Sequence, residues 1–223
     1  MLAFVDADVL ASPMTRTVLM LSSFAKGSRF TLRWSLSAEV EADSALRPGQ
    51  TPVSELRGRF LWGERVLVPD ATQTAEAALS DTSQTDRHIL AAAKAADIRV
   101  LITRNVHDFG RDDLADLQVD AVHPDLFLSH MVDQAGYREA LEAMSEGRDR
   151  PPNTPEDLHV ALGAGHPLLF QAMRGAYPGA EALPPTSDPP AESFRGNHCL
   201  ICGKMLSDPE SLSLGVGPEC RLR

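Results

Sequence analysis

Leu2 to Val5 is a short unbroken apolar run, which reads as a strand buried on both faces. After Ser12-Pro13, Val18, Leu19, Leu21 and Phe24 recur at helical spacing until Gly27, and Pro in the first turn suits a helix start. Phe30 to Trp34 predicts a second strand, and Ala38 to Leu46 a helix closed by Arg47-Pro48-Gly49. Ser54 is expected to cap a further helix running through Phe60 and Leu61, before a third strand at Val66 to Val68. The stretch from Asp70 to Thr85 is weakly patterned. Asp86 then opens a helix that turns Ile89, Leu90 and Ala93 inward and ends at Asp97-Ile98, and Arg99 to Thr103 is an apolar strand. Strands alternating with helices predict βαβ units and a parallel sheet, hence an α/β fold.

From Pro124 onward the pattern is helical only: Asp125 to Val132, Tyr137 to Ser145, and Pro155 to Leu162 behind an Asn153-Thr154 cap. Tyr177 to Gly196 is rich in Pro, Ala and Ser and predicts an extended linker without a core. The expected organisation is therefore a sheet domain over 1–128, a helical extension over 129–176, a Pro-rich linker over 177–195 and a small module over 196–223. At 223 residues and 43% hydrophobic content the chain can bury a substantial core. It has no apolar run of about 18 residues and no basic segment ahead of a long apolar one, which predicts a cytoplasmic protein without a membrane partner.

The formal net charge of −10 argues against a protein that coats nucleic acid through Lys and Arg. It leaves room for metal chemistry. Asp6, Glu39, Asp86 and Asp108 each follow a strand-like run or stand in the first turn of a helix, and in a parallel sheet those positions meet along one edge. Converging carboxylates repel one another unless a divalent cation neutralises them, and hard cations prefer oxygen ligands. The matching chemistry is metal-assisted hydrolysis of a phosphodiester, with Arg29, Arg33, Arg57, Arg59 and Arg65 as candidates for holding the backbone. Singly, each acid has a plainer explanation: a helix N-terminal acid at Asp86, a turn former at Asp108, a solvated helix face at Glu39. Asp6 is the strongest, because an acid ending a buried strand is costly unless paired or metal-bound.

The strings FVDADVL, WSLSAEVEADSAL, TDRHILAAAKAADIRVLITRNVHDF and HPDLFL, in that order, resemble PIN-domain proteins, most closely the bacterial VapC-type toxin ribonucleases, over about residues 1 to 165. The resemblance implies a PIN-like, Rossmann-like parallel sheet flanked by helices. It matches Asp6, Glu39, Asp86 and Asp108 to the four acids of the family. Because the interval after Trp34-Ser35 is two residues short, Glu41 competes with Glu39. Thr103 and Asn105 match polar positions that support the site, and Asp8 falls where the family carries Asn or Asp. The resemblance further implies an endoribonuclease using Mg²⁺ or Mn²⁺, an RNA substrate, an antitoxin partner of a type II toxin-antitoxin pair, and homodimerisation. Two other readings stay open: a non-catalytic nucleic-acid or protein-binding module, and a structure-selective DNA nuclease.

All three cysteines fall in the tail, as Cys199-Leu-Ile-Cys202-Gly and Cys220. A Cys-x-x-Cys-Gly turn is half of a zinc knuckle, and three thiolates need one more ligand to close a tetrahedral site. His198 is the nearest candidate. CLICGKMLSDPESLSLGVGPEC resembles a short bacterial zinc-finger-like module, which implies Zn²⁺ binding. Arg195, Lys204, Arg221 and Arg223 give the tail a slightly positive balance that suits RNA contact and protein docking alike. His88, His107, His123, His130, His159 and His166 show no ligand spacing and read as surface or packing residues, as Trp34 and Trp62 read as core or interface aromatics.

Overall fold

In the computed structural model the described residues are 1–59, 66–146, 148–181, 190 and 192–221. Phe60, Leu61, Trp62, Arg65 and Arg223, and the linker positions 182–189 and 191, lie outside them. A six-stranded sheet has the order β3-β2-β1-β4-β5-β6, built from β1 (Leu2–Val5), β2 (Thr31–Ser35), β3 (Leu67–Val68), β4 (Val100–Ile102), β5 (Asp120–Val122) and β6 (Phe194–Arg195). All neighbours pair in parallel except β6, which runs antiparallel to β5. The winding reverses between β1 and β4, the point at which an open α/β sheet leaves a crevice beyond its carboxyl ends.

The crossovers carry α1 (Ala7–Leu10) and α2 (Pro13–Phe24), then α3 (Leu36–Ser44) and α4 (Val53–Arg59), then α5 (Gln73–Ala77) and α6 (Arg87–Ala95). A 3-10 turn (Val106–Asp108) and α7 (Arg111–Leu117) link β4 to β5. Burial explains the strands: Ala3, Phe4, Val5, Leu101 and Ile102 are at most 1% exposed, and each large side chain so buried contributes about 1.5–3 kcal/mol. The periodic faces place Val18, Leu19, Ile89 and Leu90 against the sheet in the same apolar core.

Four features depart from the sequence expectation. β5 and α7 arise where the pattern predicts neither strand nor helix, because β5 is three residues long and begins on an acid. α5 forms inside the weakly patterned stretch, capped by Thr72. α4 begins at Val53 and not beyond Ser54, since the carboxylate of Asp43 accepts from the amides of Val53 (2.5 Å) and Ser54 (3.3 Å). This cap comes from a neighbouring helix and cannot be seen in local sequence.

The fourth departure concerns the tail. The helical extension, α8 (Pro124–Met131), α9 (Gln134–Glu146), α10 (Pro155–Gly163) and α11 (Pro167–Ala172), packs back on the sheet domain, chiefly α9 on α2. The expected boundary between linker and module at 195 falls at a strand: β6 extends the sheet, and the module with α12 (Pro209–Leu214) and α13 (Pro218–Arg221) continues directly from it. Phe194, Leu200, Leu206, Val216, Cys199 and Cys220 belong to the same buried cluster as β1 and β4.

Candidate active site and cysteine cluster

Asp6 ends β1 at the reversal point and caps α1, with Oδ1 accepting from the Ala7 amide at 2.6 Å. Its amide is bound to the Ile102 carbonyl of β4 (3.0 Å), so the carboxyl is fixed between the two central strands. Burial pushes its pKa well above the usual carboxylate range; Asp8 and Asp86 push the same way, while the Thr103 hydroxyl and the Ala7 amide oppose them. Burial also raises Asp8, to about 6, against the Arg104 amide, which donates to both of its oxygens (3.0 and 3.3 Å). Asp8 and Asp86 thus disfavour charge on Asp6, and Asp86 disfavours it on Asp8.

Asp86 precedes α6, and its side chain accepts from the Thr85 hydroxyl at 3.0 Å instead of capping the helix. Asp108 ends the 3-10 turn with Oδ1 3.3 Å from His107 Nε2, and its carbonyl accepts from the Ser83 amide at 2.8 Å. That last bond ties the turn to the loop that leads into Asp86. The loop is held by a buried acid that sequence reading missed, Asp113, whose carboxylate accepts from the amides of Ser80, Asp81 and Thr82 (3.2, 3.0 and 2.7 Å). Burial would raise its pKa, but the Thr82 hydroxyl and these amides outweigh it and hold it low. Gly110 is required beside it, for a Cβ there would stand 2.4 Å from Asp81. Nothing local in the sequence sets Asp113 apart from a solvated acid, because its three partners come from a loop 31 to 33 positions earlier.

Glu39 is placed differently from the other three. It is 2% exposed, both oxygens accept from Arg57 (Nε–Oε2 2.8 Å, Nη2–Oε1 3.1 Å), and Oε2 also accepts from Trp34 Nε1 at 2.9 Å. In this arrangement it is a closed ion pair, not an open oxygen donor. The alternative, Glu41, is exposed with Oε2 3.4 Å from His88 Nε2. Of the other candidate arginines for the nucleic-acid backbone, Arg59 pairs with Glu55, Arg33 donates to the carbonyl of Leu32, and Arg29 is exposed. Thr103 is fully buried and faces Asp6, and its hydroxyl accepts from the amide of the exposed Asn105 at 3.1 Å. Arg104, between them, also opposes the rise at Asp8 through its positive charge.

Two histidines lie behind this edge. His166 Nε2 is 2.9 Å from Thr15 Oγ1, and His123 Nδ1 accepts from the Asp125 amide at 3.3 Å. Burial lowers both to about 4. His159 stacks on Phe170 at 4.3 Å with Nδ1 3.0 Å from the Tyr137 hydroxyl, a packing role.

Among the described residues, the set of three or more His, Cys, Asp or Glu with all ligand atoms within 4.8 Å of one another is Cys199, Cys202 and Cys220. All three are free thiols. Cys199 is pushed up by burial, yet donation from the amides of Gly217, Cys202 and Ile201 brings its pKa below the ordinary thiol value. Cys220 is raised to about 11 by the neighbouring Cys202 thiol, by burial and by Cys199. One thiolate is thus stabilised while a second is resisted until a cation arrives, and this cluster could hold a metal. His198 is not in that set; its Nδ1 lies 3.2 Å from Asp120 Oδ2 and its amide is 3.3 Å from Asp120 Oδ1. A pocket of about 240 Å³, lined by the three cysteines with Lys204, Met205 and Asp208, opens at the cluster.

The mostly parallel six-stranded sheet flanked by helices is an α/β fold consistent with the PIN class. Over 97 residues the chain is 38% identical to the protein named "Putative ribonuclease VapC50" of Mycobacterium tuberculosis, a match covering 42% of this chain and 56% of that protein. A model of a family of unknown function (DUF6011) matches residues 190–223, that is, β6 and the cysteine module. No solved structure matches. No helix among the described residues is long and apolar enough to cross a membrane.

Proposed function

We propose that the chain is a metal-dependent endoribonuclease whose site is the carboxylate edge between β1 and β4. The observation that carries this reading is Asp6, a buried carboxyl at the sheet's reversal point crowded by Asp8 and Asp86. Such crowding is unfavourable without a cation. The similarity to a protein named as a ribonuclease supports the same reading.

Asp6, Asp86 and Asp108 present hard oxygen donors and would hold Mg²⁺ or Mn²⁺. An ion held by these residues would offset the mutual repulsion of the acids and would supply polarisation of a phosphodiester and of an attacking water. Thr103 orients Asp6 through its hydroxyl, and the Ser83–Asp108 bond keeps the Asp86 and Asp108 segments in step. The Arg104 amide steadies Asp8, and the Arg104 guanidinium is the charge that would meet a phosphate. Glu39 enters by fixing Arg57 and Trp34 beneath α3. An RNA substrate, an antitoxin that closes the edge and a homodimer belong to this reading. In the tail, Cys199, Cys202 and Cys220 would hold Zn²⁺.

The test is cleavage of a mixed RNA pool by the full chain in Mg²⁺ or Mn²⁺, with EDTA and Asp6→Asn as controls. Metal-dependent cutting that disappears in the variant supports the reading. Absence of cutting by folded protein on RNA and on single-stranded or flap DNA would sink it.

A further inference from the structure

Arg195 leaves the cysteine module and reaches the turn that carries Asp108. Its Nη1 donates to the carbonyls of Phe109 (2.8 Å) and His107 (3.2 Å), the two residues flanking Asp108. Its other face is fixed by Glu192, which accepts from Nε at 2.8 Å and also pairs with Arg111 of α7. The Arg195 side chain is 16% exposed, and its bond to the Phe109 carbonyl is the partly buried one of the two.

What holds Arg195 there is the junction between β6 and the module. Arg195 pairs with Ala121 and Phe194 with Val122, and the Ser193 carbonyl accepts from the His123 amide at 2.8 Å. Asp120 Oδ1 accepts from the Asn197 amide at 2.7 Å, and Gly196 is obligatory because a Cβ there would stand 2.1 Å from that oxygen. Beyond Asn197 the chain enters the knuckle at once: the Cys199 amide donates to the Lys204 carbonyl (2.8 Å) and the Leu200 amide to the Gly215 carbonyl (2.9 Å). Phe194 is a buried apolar anchor at the start of the module. It packs so closely on Gly215 that a Cβ would meet its ring at 2.9 Å, and Gly215 sits at φ +65°, open to glycine. The module adds few apolar residues to the shared core, so a metal on its cysteines would contribute binding energy to its folded order.

We propose that Arg195 is a positioning residue for the Asp108 turn, and that a zinc-class ion on Cys199, Cys202 and Cys220 holds it in place. Occupation of the thiolate cluster then sets the geometry of the carboxylate edge. The coupling between cluster and turn is independent of the chemistry at the edge; its effect on cleavage rests on the nuclease reading.

Amide hydrogen exchange on the full, reduced chain tests it, comparing zinc-loaded protein, the same protein stripped by a chelator, and zinc-loaded Arg195→Ala and Arg195→Lys. Stripping and Arg195→Ala are both expected to speed exchange in the 105–110 segment about tenfold or more, because two carbonyls lose a charged donor. Exchange in β1 and α6 stays unchanged, Arg195→Ala keeps one zinc per chain, and Arg195→Lys recovers part of the protection. In the same forms Mn²⁺ binding to the carboxylate edge, read by electron paramagnetic resonance, weakens about fivefold, and kcat falls with KM retained. Unchanged exchange in zinc-loaded Arg195→Ala, or in the stripped chain, overturns the proposal. Loss of protection alongside no Mn²⁺ binding or cleavage in any form would uphold the coupling and overturn the nuclease reading instead.

Discussion

Glu39 and Arg57 meet through two parallel hydrogen bonds, Nε–Oε2 at 2.8 Å and Nη2–Oε1 at 3.1 Å, joining α3 to α4. With Trp34 Nε1 on the same carboxylate, the pair closes the space beside β2. A nearly buried pair of this geometry costs more to break from one side than it contributes as a whole. Glu39→Ala is therefore expected to destabilise the chain by about 3 kcal/mol. Pairing it with Arg57→Met should recover a large part of that loss in urea unfolding. If the single variant unfolds like wild type, the carboxylate is not acting as the partner of Arg57.

Asp6 carries the opposite balance. Its burial beside Asp8 and Asp86 means that metal-free protein holds a charge it disfavours. Asp6→Asn should raise the melting temperature in EDTA by about 2–4 °C, on the order of 1 kcal/mol for a chain of this size. Excess Mn²⁺ should reverse the order, stabilising wild type and not the variant. Thermal scans with and without the ion decide it, and a variant that is less stable in EDTA contradicts the account.

His166 and His123 give an acid-sensitive element behind the edge. Their folded pKa values, about 4, lie below the ordinary 6.5, so folding favours the neutral rings. The stability they contribute is complete above pH 6.5 and is lost as pH falls toward 4. Asp6 and Asp8, with raised values, act in the other direction in the absence of metal, so a difference between two chains is the informative quantity. The stability of wild type relative to His166→Gln should fall by about 1–2 kcal/mol between pH 7 and pH 5. A difference independent of pH would show that the ring is not held neutral.

Asp113 organises the acids without touching them. Replacing it by Ala strands the amides of Ser80, Asp81 and Thr82 and should cost about 2–3 kcal/mol. Because Ser83 binds the Asp108 carbonyl from the same loop, Mn²⁺ affinity should fall as well, by about tenfold. Asp113→Asn, which keeps one acceptor oxygen, should fall between the two in both measurements; equal Mn²⁺ affinity in all three chains would show that the loop does not set the edge.

Much of the architecture was legible in the chain. The apolar run at Leu2 to Val5, the helical period after Ser12 and the strand before Thr103 each carry their own pattern, because a segment buried on one or both faces must repeat its apolar positions. Asp6 was readable for the same reason: it breaks an apolar run where a parallel strand ends. The three cysteines announced their cluster through spacing.

Other features exist only once the chain is folded. β5 and β6 are too short to show a period, and what makes them strands is the edge that β4 offers to β5 and β5 to β6. Glu39 and Asp113 are indistinguishable in sequence from solvated helix acids; Arg57 and three loop amides, brought from other segments, decide what they do. His198 stood beside a cysteine, yet Asp120, 78 positions earlier, claims its ring. Arg195 looked like one positive charge in a polar tail, and becomes the clamp on the Asp108 turn because an antiparallel strand carries it there. Periodicity and spacing are local properties and survive in one dimension. Partner choice among charged groups depends on which elements the core presses together, and that is set by packing alone.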